Sequence, residues 1–117
     1  MITCMAVDDD PLFLRLLESY FSEIEDLDLI KVYDNPVRAA LGIVKYKPEV
    51  LLLDYDMPYL DGFEMVSMIT DPPKVVVISG HLKDPEGAGI KVDGFISKKD
   101  LISPDRLREG VMGVFKD

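Results

Sequence analysis

Short, nearly unbroken apolar runs alternate along this chain with segments whose apolar residues return every three to four positions. The runs are Ile2 to Val7, Leu29 to Tyr33, Val50 to Leu53, Lys74 to Ser79 and Gly94 to Ser97. Their length and β-branched content predict five strands. The segments between them open on helix-start signals. Asp10-Pro11 pairs an N-cap with proline at the first helical position, and predicts a helix to about Glu25. Its expected apolar face is Leu12, Leu16, Leu17, Tyr20, Phe21 and Ile24. Asn35-Pro36 opens a second helix carrying Val37, Ala40, Leu41 and Val44, and Lys47-Pro48 breaks it. Asp61-Gly62 opens a third with Phe63, Val66 and Ile69 on one face, stopped by Asp71-Pro72-Pro73. The segment 83–90 has two glycines and a proline, and is expected to be a weak, mobile helix at best. Ser103-Pro104 caps a last helix to about Phe115, weakened by Gly110 and Gly113.

Strand and helix thus alternate five times. Such a pattern implies a parallel sheet with helices on both faces and right-handed crossovers. The expectation is an α/β doubly wound (βα)5 fold with strand order 2-1-3-4-5, its crevice lying between strands 1 and 3.

Composition narrows the function classes. A chain of 117 residues, 48% hydrophobic and 30% charged, fits one globular domain, here residues 1–117. No apolar run approaches the roughly 20 residues of a membrane helix. The N-terminus lacks the basic flank and cleavage site of a signal peptide, so the expected location is cytoplasmic, without membrane contact. Cys4 is the only cysteine and sits in a predicted strand, which points to core. A net charge of −9 argues against direct nucleic-acid binding and favours cations or basic partners. With His81 as the only histidine, Ser-His-Asp and Cys-His catalysis and multi-histidine metal sites drop out.

The polar residues then fall at strand ends. Asp8 and Asp9 follow strand 1, Asp54 ends strand 3, Ser79 ends strand 4 and Lys98 follows strand 5. In a parallel sheet these ends share the edge where such folds bind ligands. Three carboxylates in one crevice repel one another, and a divalent cation with oxygen ligands would remove that cost. Magnesium suits a site with few carboxylates and several retained waters. A carboxylate can also attack phosphorus, and phosphoryl transfer needs positive charge around the phosphoryl oxygens. Lys98 supplies such a charge, and the Ser79 hydroxyl can hydrogen-bond a phosphate oxygen.

These residues carry a resemblance. AVDDDP (6–11), LLLDYDMPYLDG (51–62), VVVISG (75–80) and GFISK (94–98), in this order and spacing, resemble the receiver domain of bacterial two-component response regulators, along essentially the whole chain. The resemblance implies a flavodoxin-like fold and a phosphorylation-dependent switch rather than an enzyme with turnover. Asp54 would be the phospho-acceptor. Asp8 and Asp9 would hold Mg2+, with the backbone carbonyl of Asp56 completing the site. Lys98 would pair with the phosphate, Ser79 would follow it on activation, and Phe95 would be the aromatic switch residue. Pro58 and Gly62 match the loop after the acceptor. His81, just after Ser79, is either a bystander or a modulator of phosphate hydrolysis. The implied partners are a sensor histidine kinase or phosphotransfer protein, an effector beyond Asp117 or on a separate protein, and a second copy of the chain. MITCMAVDDDPLFLRLLESY and DPPKVVVIS are similar to receivers of LytTR-type regulators, and GFISKKDLISPDRL to those of LuxR-type regulators. The chain departs from the family at Lys99, where many receivers have proline, at Gly80, where alanine is common, and in 83–90.

Two other readings compete. Asp54-Tyr55-Asp56 also matches the DxD nucleophile motif of haloacid-dehalogenase-like phosphatases. That motif normally follows the first strand, however, and leaves Asp8 and Asp9 unexplained. A receiver-like interaction module independent of phosphate is the third, and the complete set Asp8, Asp9, Asp54, Ser79 and Lys98 argues against it.

Overall fold

The structure, a computed structural model, describes residues 1–54, 66–80 and 91–115. Five strands form one parallel sheet: β1 (Ile2–Val7), β2 (Leu27–Tyr33), β3 (Val50–Asp54), β4 (Lys74–Ser79) and β5 (Gly94–Ser97). Their order is β2-β1-β3-β4-β5, as the alternating pattern predicts. The described α-helices are α1 (Pro11–Phe21), α2 (Pro36–Tyr46) and α3 (Pro104–Met112). Single 3-10 turns cover Lys98–Asp100 and Gly113–Phe115. Residues 66–67 are helical. The expected start of that helix at Asp61-Gly62, and the weak helix expected over 83–90, lie outside the described residues.

Side chains alternate across the sheet, and each face has its own core. On one face Cys4, Ala6, Val50, Leu52, Val76, Ile78 and Ile96 meet Phe13, Leu14, Leu17 and Phe21 of α1 and Leu107 and Val111 of α3. On the other, Met5, Val7, Leu51, Leu53, Val75 and Val77 meet Ala39 and Ile43 of α2 together with Val66. The central strand β3 is buried along its whole length. Its apolar run reflects cover on both faces.

Three expectations need correction. Helix α1 stops at Phe21; its cap Ser22 donates its backbone N–H to the carbonyls of Glu18 and Tyr20, and Ile24 is buried in the turn that follows. The inward face of α1 is Phe13, Leu14, Leu17 and Phe21, whereas Leu12 and Leu16 are exposed. Apolar residues surround much of this helix, so spacing alone does not choose the face. In α2 the inward face is Pro36, Ala39, Gly42 and Ile43, while Val37, Leu41 and Val44 are 56%, 71% and 63% exposed. Close approach accompanies this: the end of the Tyr33 ring lies where a side chain at residue 42 would be, so a larger residue there would require Tyr33 to move.

Candidate functional site

The parallel sheet brings its strand ends to one edge. Val7 of β1 lies opposite Leu53 of β3, so Asp8 and Asp54 emerge side by side. Carboxylate oxygens of Asp8, Asp9 and Asp54 all lie within 4.8 Å of one another. Asp8 and Asp54 are buried and Asp9 is exposed.

Local structure fixes these groups. The Asp8 backbone N–H donates to the Tyr33 carbonyl at 3.0 Å. Asp8 Oδ1 accepts the Asp10 backbone N–H at 2.8 Å, which leaves Oδ2 facing Lys98 Nζ at 2.9 Å. Asp10 has a different task. Its side chain accepts the Leu12 N–H at 3.0 Å and caps α1, as its sequence position implies.

Lys98 is the cation of the cluster. Its Nζ lies 2.9 Å from Asp8 and 3.7 Å from Asp54 Oδ1, with the side chain 26% exposed. Burial works against its charge. The hydrogen bond to Asp8 and the attraction of Asp54, Asp8 and Asp10 outweigh that, so its pKa sits above the ordinary lysine value. Lys98 therefore stays an ammonium across the physiological range. Nζ also lies over the Phe13 ring, 4.4 Å from its centroid. Such a contact is worth on the order of 1–2 kcal/mol when partly desolvated.

The loop carrying Lys98 makes use of the backbone N–H of Lys99. Ser97 Oγ accepts the Lys99 backbone N–H at 3.3 Å and caps the 3-10 turn Lys98–Asp100. Proline at position 99 has no N–H to give. The hydroxyl of Tyr20 donates to the Leu101 carbonyl at 3.3 Å and ties the same loop to α1.

Three carboxylates against one ammonium leave two negative charges. A hard divalent cation matches both that charge and the all-oxygen donor set. The residues present therefore suit Mg2+.

Asp8, Asp9, Asp54 and Lys98 thus come together. Ser79 is fully buried at the end of β4, where it pairs with Ser97. It follows Ile78, the register partner of Asp54. Phe95 is half-buried and packs against the sheet face that α2 covers, opposite the face of Ile96 and α3. Asp56, Pro58, Gly62 and His81 lie outside the described residues. Sequence reasoning missed Phe13. The signal was its spacing of four from Leu17 and of eight from Phe21, masked by Leu12 and Leu16 beside it.

Comparisons with known proteins bear on the family and the fold. The model of the response regulator receiver domain family matches residues 4–111. An uncharacterized response regulatory protein of Shewanella oneidensis is 35% identical over 82 residues, covering 68% of this chain and 34% of that protein. Response regulator GtcR of Aneurinibacillus migulanus is 32% identical over 102 residues, covering 82% of this chain and 41% of its own length. The chain therefore spans well under half of these two relatives. Among solved structures, the signal receiver domain of NarL from Mycobacterium tuberculosis superposes with a TM-score of 0.79 at 25% identity, covering 95% of this chain and 93% of that one. The response regulator domain of Thermotoga maritima CheB shares the fold, with a TM-score of 0.78 at 21% identity over 100% of this chain and 98% of its own.

Proposed function

The chain belongs to the response regulator receiver domain family, and from that premise we propose that residues 1–117 form a single switch domain phosphorylated on Asp54. Receiver domains of two-component systems signal through phosphorylation. The observation that carries the assignment to Asp54 is its position: a buried carboxylate at the end of β3, within 4.8 Å of the Asp8 and Asp9 oxygens and 3.7 Å from Lys98 Nζ.

The donor is a phosphohistidine of a sensor kinase or phosphotransfer protein. An Asp54 carboxylate oxygen attacks phosphorus and forms the new O–P bond. The P–N bond breaks, and the imidazole nitrogen keeps the electron pair and takes up a proton. Lys98 holds positive charge beside the phosphoryl oxygens. Asp8, Asp9 and Asp54, with the Asp56 carbonyl, would hold Mg2+, which when bound supplies further positive charge to those oxygens. Leu12 and Leu16 give α1 an exposed apolar flank beginning just after the acidic pair, which suits a docking donor.

Phosphorylation adds charge to a buried cluster. Ser79 follows the phosphate by donating its hydroxyl, Phe95 changes position with it, and the surface from β4 to α3 is read by a partner. The greater length of the curated relatives supports an effector beyond Asp117, the alternative being one on a separate protein. The family match leaves the haloacid-dehalogenase-like reading without support. No helix among the described residues is long and apolar enough to cross a membrane, and a cytoplasmic site of action agrees with the proposed kinase partner.

Incubation with Mg2+ and acetyl phosphate should add one phosphoryl group by intact-mass measurement. Asp54→Asn and metal chelation should each abolish the gain, and Lys98→Ala should slow it on the order of 100-fold. Undiminished labelling of Asp54→Asn would overturn the assignment.

A further inference from the structure

We propose that Phe13 is a positioning residue for Lys98, its ring holding the ammonium in place through the phosphoryl-transfer cycle. This deepens the reading of Asp54 as acceptor and rests on it.

The geometry is three-sided. Nζ meets Asp8 at 2.9 Å, Asp54 at 3.7 Å and the Phe13 ring at 4.4 Å from its centroid. Phe13 sits in the first turn of α1 and is 8% exposed, packed in the same core as Leu14 and Leu17. Its ring is thus fixed by the core, while Lys98 keeps a route to water through its exposed quarter. A lysine stem has four rotatable carbons, so an ammonium held only by carboxylates can swing outward.

The ring differs from the other two partners in one respect. Asp8 and Asp54 are both candidate metal ligands, and Asp54 changes identity when it takes a phosphoryl group. Their hold on Lys98 therefore varies through the cycle. The negative face of an aromatic ring does not titrate, bind magnesium or become esterified. It is the one constant partner of Nζ among these three.

The test compares Phe13→Leu, which keeps apolar bulk, with Phe13→Tyr, which keeps the ring face. With acetyl phosphate and Mg2+, the leucine variant should lose about tenfold in the maximal rate constant of Asp54 labelling with little change in the acetyl phosphate concentration that gives half that rate, and the tyrosine variant should retain the wild-type rate constant. By NMR, the Lys98 ε-methylene protons should be shifted upfield by the ring current in wild type and Phe13→Tyr, and return to ordinary positions in Phe13→Leu. If Phe13→Leu does not fold, Phe13→Met replaces it. Unshifted Lys98 signals in wild type, or equal labelling rate constants in the leucine variant and wild type, would overturn the proposal. So would equal losses in both variants, which would reduce Phe13 to packing. If wild type takes no phosphoryl group, the assignment of Asp54 fails, and the NMR comparison still decides whether the ring holds Lys98.

Discussion

Cys4 illustrates how burial sets the chemistry of a single residue. It is fully buried in β1, and desolvation, aided by Glu49 and Asp28, pushes its thiol up to about 12 from the ordinary 9.0. The unfolded chain gives up this proton above about pH 9, whereas the folded chain keeps it until about pH 12. The unfolded state then binds fewer protons, so stability falls as pH rises through that window. Denaturant melts from pH 8 to 11 should show this fall, and Cys4→Ala should flatten it. At the site, Asp8, Asp9, Asp54 and Lys98 were legible in the sequence because a strand end is fixed by the end of an apolar run. Phe13 was not, because its role depends on a lysine 85 positions away that only the fold brings near. The cap role of Asp10 was legible because it depends on neighbours in sequence alone.

At the scale of elements, the strands were readable because β3 and its neighbours are covered on both faces and so carry unbroken apolar runs. Helix faces were harder. The inward side of α2 includes Ala39 and Gly42, small residues that contribute little hydrophobicity yet allow close packing on the sheet. The larger Val37, Leu41 and Val44 dominate the pattern and point outward. Gly110 in α3 repeats the lesson. Read from sequence it only weakens the helix; in the fold, a Cβ there would strike the Ile96 side chain, with Cγ1 at 2.7 Å. Gly110→Ala gains up to about 1 kcal/mol of helix propensity. Against that stands the overpacking of a buried contact, about 1–3 kcal/mol. A net loss follows, to be seen as a lower thermal midpoint. Ile96→Val in the Gly110→Ala background should recover part of it.

For the molecule as a whole, the order β2-β1-β3-β4-β5 is what joins residues distant in sequence into one site. β1 and β3 are adjacent, so the acidic pair meets Asp54, and β5 closes the sheet so that Lys98 reaches both. Two cores, one on each face of the sheet, pack the strands whose ends form that edge. The central claim, that this edge takes a phosphoryl group on Asp54, has a direct chemical test. An acyl phosphate is reduced by borohydride to the alcohol, so a phosphorylated aspartate becomes homoserine. After treatment with acetyl phosphate and Mg2+, then borohydride, tandem mass spectrometry should find homoserine at position 54 and nowhere else. Homoserine at position 8 or 9, or phosphorylated protein that yields no homoserine, would contradict the account.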